Sequence, residues 1–164
     1  MAEIQLLRRD HSAELLAFER ENRAYFAASI PDRGDDYFTE FDMRTEELLA
    51  EQASGTCYFH VVVGETGQVL GRVNLVDVDD GCAELGYRIA ESAAGRGLAT
   101  WAVTRVGELA RNTYGLTRLR AETTLDNAAS LTLLARAGFA PHGEIELDGR
   151  PGRRFVLDLT TARG

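Results

Sequence analysis

The hydrophobic positions change their spacing along the chain, and each spacing predicts a different kind of element. In the middle of the chain, Leu85, Tyr87 and Ile89 alternate with other positions, which is typical of a half-buried strand. From Leu98 onward, apolar residues recur every three or four positions, which predicts a helix with an apolar stripe of Ala102, Val106, Leu109 and Ala110. A glycine-containing loop, Ala94–Ala99, joins the two and forms the centre of the predicted fold.

The first third of the chain predicts one short strand followed by two helices. Residues Ile4–Arg8 fit a strand, and Asp10 is placed to cap a helix that runs to about Asn22. The segment Arg23–Asp36 contains serine, proline and glycine and predicts a loop. A second helix is expected over Tyr37–Ala53, because apolar residues recur there at helical spacing.

Strand patterns dominate the following part of the chain. Three β-branched and aromatic runs predict an antiparallel meander, namely Thr56–Val63, Val69–Val78 and Ala83–Ile89. After the central helix, the patterns predict a strand, a short helix and a hairpin that turns at Asp148–Gly152, in the segments Leu119–Thr124, Asp126–Ala137, Phe139–Leu147 and Arg153–Leu159. The predicted order is β-α-α-β-β-β-α-β-α-β-β, an α/β (α+β) fold with a mixed central sheet of about seven strands.

The glycine loop between the central strand and helix predicts an anion site. A helix start has backbone N–H groups without partners and a partial positive charge, and small residues let a phosphate approach them. The alternative is that the glycines only turn the chain. The dinucleotide pattern G-x-G-x-x-G is absent, because Thr100 stands at its third glycine, and no Gly-Lys-Ser/Thr follows.

Composition limits the classes of function. The chain has 164 residues, of which 45% are hydrophobic, so a single domain over residues 1–164 is expected. It shows no apolar run of membrane length and no signal-peptide pattern, and a cytoplasmic protein is expected. The net charge of −8 argues against direct nucleic-acid binding. Neither the histidines nor Cys57 and Cys82 have metal-ligand spacing, so no metal is expected.

Two motifs together resemble the GNAT N-acetyltransferases. The loop Ala94–Ala99 is similar to their pyrophosphate loop, usually Gln/Arg-x-x-Gly-x-Gly/Ala, although Ala94 replaces the polar first residue. The segment Asn127–Phe139 resembles the Asn-x-x-Ser…Gly-Phe element that follows the fifth strand in this family. The phrases Ala83–Tyr87 and Glu21–Arg23 resemble the RimJ/RimL-type branch, the ribosomal-protein N-terminal acetyltransferases. The resemblance covers nearly the whole chain and implies the GNAT fold.

The resemblance implies acetyl-CoA as the donor. Backbone groups on the central strand are expected to pair with the pantetheine amides, and loop N–H groups to hold the pyrophosphate. Arginines near the site would add charge-assisted hydrogen bonds to phosphate, although a solvated surface charge is the alternative for each. The expected donor-binding residues are Tyr87, Ile89, Gly95, Arg96, Gly97, Leu98, Ala99, Thr100, Asn127, Ser130 and Arg136.

The expected reaction is direct attack of a neutral amine on the thioester. By resemblance, Ser130 lies near the sulfur, where it would protonate or hydrogen-bond the departing thiolate. Glu84 is the candidate base, with Glu144, Glu146 or a chain of water molecules as alternatives. The alternative function is a sensor or regulatory domain that binds acyl-CoA without turnover.

The acceptor is expected to be a primary amine, either a protein N-terminus or a small molecule. The resemblance places it between the segments Arg23–Tyr37 and Glu144–Arg154. Their acidic residues would favour a cationic amine, namely Asp32, Asp35, Asp36, Glu144 and Glu146. The protein is expected to be a monomer or a homodimer.

Overall fold

The fold is one seven-stranded sheet with helices on both faces, as a computed structural model describes it for residues 2–160. The strand order is β1-β2-β3-β4-β5-β7-β6. The strands are β1 (Glu3–Leu6), β2 (Tyr58–Val63), β3 (Val69–Asp79), β4 (Cys82–Ile89), β5 (Arg118–Thr124), β6 (Ala140–Leu147) and β7 (Arg150–Asp158). The helices are α1 (Ser12–Glu21), α2 (Arg23–Ala27), α3 (Asp35–Thr39), α4 (Phe41–Ala53), α5 (Leu98–Asn112) and α6 (Ala128–Arg136). The predicted mixed sheet and its place in the α/β class are confirmed.

The sheet separates two hydrophobic cores. On one face, α5 and α6 pack on residues such as Val62 and Leu85. On the other face, α1–α4 supply mostly aromatic side chains, among them Phe18 and Phe41, which pack with Val61. Because successive strand residues point to opposite faces, the adjacent Val61 and Val62 enter different cores. Both faces of the central strands are therefore buried, which keeps the sheet stiff around any site that opens within it.

Three boundaries near the start of the chain differ from the sequence prediction. Helix α1 begins at Ser12, after a single 3-10 turn, and Asp10 does not cap it. Instead the Asp10 carboxylate accepts a hydrogen bond of 3.0 Å from the Arg8 guanidinium. The predicted loop contains helix α2, because burial of Phe26 in the aromatic core holds this short segment in place. The predicted second helix is divided into α3 and α4 by a non-helical Glu40 (φ −103°, ψ 20°).

The last hairpin turns more tightly than predicted. Strands β6 and β7 pair as far as Leu147 with Arg150, so the turn consists of Asp148 and Gly149 alone. Both turn residues have positive φ, 51° and 77°, as a two-residue hairpin of this type requires. The prediction had placed Pro151 in the turn, but this residue pairs with Glu146 near the start of β7.

A buried charge network fastens α1 to the sheet. Glu19 is 1% exposed, and its carboxylate accepts hydrogen bonds from Arg72 of β3 at 2.7 Å and from Arg88 of β4 at 3.1 Å. Tyr37 of α3 accepts a further hydrogen bond from Arg72 at 3.1 Å. Because an unpaired charge in this position would be strongly unfavourable, the carboxylate is needed beside the buried Arg72 and the partly buried Arg88.

We predict that Glu19→Gln lowers the free energy of unfolding by roughly 3 to 5 kcal/mol, since two guanidinium groups would lose their counter-charge inside the protein. Urea denaturation monitored by circular dichroism measures this change. The matched control is Glu46→Gln, because Glu46 makes an equally close ion pair with Arg9 on the surface. That control should change the stability very little.

His60 is a second buried polar group, 1% exposed. Its Nδ1 lies 3.0 Å from the Val73 carbonyl oxygen, which fixes this nitrogen as the donor, and its Nε2 lies 2.6 Å from the Tyr114 hydroxyl. Burial lowers the pKa of His60 from an ordinary value of 6.5 to about 4, and the hydrogen bond with Val73 offsets part of that effect. The folded protein therefore holds this imidazole neutral.

We predict that this histidine makes stability fall as the pH is lowered. The pKa of His60 is lower in the folded than in the unfolded state, so its contribution is complete above pH 6.5 and is lost as pH falls toward 4. The loss should approach about 1.4 kcal/mol per pH unit within this window. Urea denaturation between pH 7 and 4.5 measures it. His60→Gln should flatten the slope, whereas substitution of the exposed His142 by Asn should leave it unchanged.

Candidate active site

The site begins where the sheet divides between β4 and β5. These two parallel strands pair only over Cys82–Glu84 with Arg118–Arg120. Beyond that point β4 continues to Ile89 along β3, and β5 continues to Thr124 along β7. The facing edges of the two strands therefore carry backbone N–H and C=O groups without strand partners. Such an edge can pair with an extended ligand that contains amide groups.

A cavity of about 1170 Å³ passes through this gap. On the face that carries α5 and α6, its walls include Tyr87, Gly97 and Ser130. On the face that carries α1–α4, they include Phe26 and Arg88. Because residues from both faces line one space, a ligand held on one side can meet a second ligand that arrives from the other side.

The glycine loop has the geometry of an anion site. Gly95 and Gly97 both have φ of 77°, and Gly97 is the residue before the first turn of α5. A Cβ atom added at either glycine would meet nothing within 4 Å, so the space above the loop is open. The N-terminal N–H groups of this helix consequently face space that a phosphate can enter.

The predicted donor residues are divided between two adjoining cavities. Most of them line the large cavity, namely Tyr87, Ile89, Gly95, Gly97, Ala99, Thr100, Asn127, Ser130 and Arg136. Arg96 and Leu98 instead line a smaller cavity of about 500 Å³, which Gly97 shares with the large one. The glycine loop thus forms the boundary between the two cavities.

Ser130 and Tyr87 form a hydrogen-bonded pair in the large cavity. The Tyr87 hydroxyl donates to Ser130 Oγ at 2.8 Å, and Ser130 itself is 8% exposed. The Asn127 side chain caps α6 by accepting a hydrogen bond of 3.1 Å from the Ser130 backbone N–H. Burial raises the pKa of Tyr87, and the hydrogen bond to Ser130 offsets part of that rise. Because Ser130 Oγ accepts from Tyr87, its own hydroxyl hydrogen can be donated elsewhere in the cavity.

The sequence prediction used only the backbone of Tyr87 and did not assign its hydroxyl group. The alternation of Leu85, Tyr87 and Ile89 indicates that the ring faces the α5 and α6 side. It does not indicate that the ring reaches Ser130, a residue 43 positions further along the chain. The pair depends on how α6 packs across the open end of the sheet.

The three carboxylates considered as bases do not line the large cavity. Glu84 lies at the closed end of the gap, where it pairs with Arg120, and burial and the nearby Glu122 carboxylate raise its pKa. Glu144 is paired with Arg153 at 3.2 Å, and Glu146 lies exposed on the edge strand β6. Among the described residues, the carboxylates that line the cavity are Glu122 and Asp148.

The expected acceptor walls are present, but their expected charge is not directed at the cavity. The walls come from α2 and the residues after it and from the β6–β7 turn, with members such as Tyr25, Ile30 and Leu147. Asp32 and Asp35, in contrast, both accept hydrogen bonds from Arg23, at 2.8 and 2.9 Å. The hydrogen bond from Arg23 lowers the pKa of Asp32 to about 2. None of the five acidic residues named for the acceptor lines the cavity, so the attraction predicted for a cationic amine would have to act from outside its walls.

Comparison with known proteins identifies the family. Residues 3–140 match the acetyltransferase (GNAT) domain, so the chain belongs to this family. The uncharacterized N-acetyltransferase p20 of Bacillus licheniformis is 31% identical over 87 residues, which make up 52% of this chain and 49% of that protein. The matched segment thus spans about half the length of that relative.

Two solved structures share the fold at low sequence identity. Ribosomal-protein-S5-alanine acetyltransferase from Vibrio fischeri has a TM-score of 0.92 at 18% identity, with 99% of this chain and 96% of that chain covered. Spermidine N-acetyltransferase from Vibrio cholerae, in complex with CoA and spermine, has a TM-score of 0.79 at 17% identity, with 97% and 96% covered. The first of these proteins is named for a ribosomal protein as acceptor and the second for spermidine. The fold alone therefore does not identify the acceptor of this chain.

Residues 2–160 contain neither a cluster of metal-ligand side chains nor a helix suited to a membrane. No three histidine, cysteine, aspartate or glutamate side chains in this range come close enough together to hold a metal ion. No helix within the same range combines the length and the apolar character needed to cross a bilayer.

We predict that acetyl-CoA raises the melting temperature and that Gly97→Asp removes this effect, because the new carboxylate would repel a phosphate at the loop. At a ligand concentration of about 100 times Kd, the stabilisation should be roughly 2.7 kcal/mol. Differential scanning fluorimetry measures the shift. The control is Gly115→Asp, since Gly115 also has positive φ (67°) and open surroundings but lies outside the cavity. An unchanged shift in Gly97→Asp would contradict the loop assignment.

Proposed function

We propose that this protein transfers the acetyl group of acetyl-CoA to a primary amine by direct attack. The observation that carries the proposal is the Tyr87–Ser130 pair, which faces the gap between β4 and β5 beside an open phosphate loop. These features supply a site for the anionic end of the donor, an edge for its amides and a hydroxyl group for its sulfur. The family of the chain and the geometry of the cavity point to the same reaction.

The donor would lie along the face that carries α5 and α6. Its pyrophosphate would accept hydrogen bonds from backbone N–H groups between Gly95 and Thr100. Arg96 in the smaller cavity and Arg136 at the end of α6 are placed on either side to contribute positive charge. The pantetheine amides would pair with the free edge of β4 near Tyr87 and Ile89, which orients the thioester toward the gap.

The reaction needs a new C–N bond, a broken C–S bond, loss of a proton from nitrogen and gain of a proton by sulfur. The amine nitrogen attacks the carbonyl carbon, and the C–N bond forms while a base removes the proton from nitrogen. The C–S bond then breaks, and the sulfur receives the Ser130 hydroxyl proton, which Tyr87 replaces through its hydrogen bond of 2.8 Å. Solvent restores the Tyr87 proton, so the net products are the amide and free CoA.

The acceptor would enter from the opposite side of the sheet. The wall on that side is largely apolar, with Phe26, Ile30 and Pro31 among its members, and the nearby Asp32 is held by Arg23. This surface favours an amine followed by an uncharged segment, such as a protein N-terminus, over a polyamine with several charges. A small amine with an apolar body remains the other candidate.

The experiment that tests the function is release of free CoA from acetyl-CoA in the presence of an amine panel. The panel contains uncharged N-terminal peptides, spermidine and small monoamines, and a thiol reagent detects the product. We expect turnover with the peptides or the small monoamines, and less with spermidine. Binding of acetyl-CoA without turnover on any amine would instead support the sensor function.

We predict that Ser130→Ala lowers kcat by about 100- to 10,000-fold, the usual range for general-acid assistance. The Kd for acetyl-CoA should stay nearly constant, because a contact with the thiolate develops only in the transition state. Steady-state kinetics and calorimetry provide the two measurements. Ser92→Ala is the control, since Ser92 is exposed and lies outside the cavity. A kcat for Ser130→Ala within twofold of the wild type would remove Ser130 from the mechanism.

A further inference from the structure

Glu122 holds a position in the gap that the proposed mechanism has not yet used. The last residues that β4 and β5 pair are Glu84 and Arg120, and Glu122 follows two positions later on β5. At the same level on β4 stands Gly86, which also lines the cavity. A Cβ atom at Gly86 would meet nothing within 4 Å, so the space beside Glu122 is open.

The two sides of the gap carry different chemistry. Residues alternate between the faces of a strand, so Gly86 and Arg88 share one face of β4 and Tyr87 points to the other. Arg88 contacts Glu19 of α1, whereas Tyr87 contacts Ser130 of α6, which fixes the identity of each face. The pairing of Glu84 with Arg120 places Glu122 on the face of Arg88. The Ser130 hydroxyl, which is proposed to contact the thioester sulfur, and the Glu122 carboxylate are therefore on opposite sides of the sheet.

The carboxylate of Glu122 is held in place by one of its oxygens. Arg154 of β7 donates to Oε2 twice, from Nε at 3.0 Å and from Nη2 at 2.8 Å. The Glu122 side chain is 22% exposed and borders the cavity. Because both hydrogen bonds reach the same oxygen, Arg154 orients the group without engaging Oε1. An oriented carboxylate that borders the cavity and keeps one oxygen outside this ion pair is suited to accept a proton.

We propose that Glu122 is the base that takes the proton from the attacking amine, an inference that rests on the proposed acetyl transfer. The amine enters on the face of α1–α4, and Glu122 is on that face at the open part of the gap. Its Oε1 receives the proton as the C–N bond forms and passes it to solvent after the product leaves. Glu84, two residues before Gly86 and beside the paired segment, is too far toward the closed end to line the cavity.

Several charged groups surround this carboxylate and have to be separated from it in any test. From the strands they are Glu84, Arg88, Arg120, Arg150 and Arg154, and from the β6–β7 turn Asp148 is the charged group. Helix α2 adds the uncharged but titratable hydroxyl of Tyr25. Asp148 is the other carboxylate in the cavity wall, but it is exposed at the tip of the hairpin. The control variants therefore test Asp148 and Glu84 as alternative bases.

The test is the pH dependence of kcat/KM for the wild type and four variants, with the best amine of the panel and saturating acetyl-CoA. Glu122→Gln keeps the shape of the side chain and an oxygen for Arg154 but removes the base. We expect its rate to be at least about 100-fold lower at pH 7. The deficit should narrow as pH rises, because hydroxide from the solvent then takes the proton that the missing carboxylate would have accepted. Glu84→Gln should stay within a few-fold of the wild type at every pH. Asp148→Asn, which alters the wall beside the acceptor, should change the rate by a factor that does not depend on pH.

Glu122→Asp provides a variant that keeps the carboxylate but retracts it by one methylene group. Its rate should fall between those of the wild type and Glu122→Gln, and its profile should keep the wild-type shape. Melting temperature and acetyl-CoA affinity are measured for all variants, and we expect both to be retained.

Three results would overturn the assignment. The first is a Glu122→Gln profile that superimposes on that of the wild type. The second is a loss that is equal at every pH, which would indicate a structural role for the pair with Arg154. The third is the pH-dependent deficit in Glu84→Gln or Asp148→Asn instead. Absence of turnover by the wild type on every amine would overturn the proposed function as well, and this outcome is recognised before any variant is compared.

Discussion

The separation of β4 from β5 is the constraint on which the site depends. Each strand keeps a full partner on its outer side, β3 for β4 and β7 for β5, so the sheet remains intact around the gap. The short parallel pairing at Cys82–Glu84 holds the two halves together at one end. Backbone groups that open into the gap need hydrogen-bond partners, and an extended amide-containing donor is able to provide them. The same feature that interrupts the sheet thus creates the binding edge.

The gap also allows two substrates to meet without sharing an entrance. On one side, the glycine loop and the Tyr87–Ser130 pair line the part of the cavity proposed for the donor, and the cap from Asn127 positions Ser130. On the other side, α2 and the last hairpin line the part of the cavity proposed for the acceptor, and Glu122 borders the same space. The buried carboxylate of Glu19 connects α1 to β3 and β4 through two arginines. This network holds the acceptor-side helices at a defined distance from the reacting strands.

The parts of the fold that depend on local sequence were predicted well. The order of the elements along the chain, the helix after the glycine loop and the short helix before the last hairpin all follow from residues within a few positions of each other. The early helices were predicted less well, because short segments such as α2 are stabilised by burial of Phe26 in a distant core and not by their own pattern. The turn at Asp148 was misjudged, since glycine and proline mark a turn region without fixing which residues pair.

The sequence by itself determined the class of the fold, the family resemblance and the position of the glycine loop before α5. Those features are encoded in periodicity and in motifs, which report on one element at a time. Only the tertiary structure decided which carboxylate borders the cavity and which hydroxyl group reaches Ser130. In the sequence, Glu84 and Glu122 cannot be told apart, because each is a glutamate within a predicted strand. Their difference comes from where β4 and β5 part, and that position depends on packing between elements far apart in the chain.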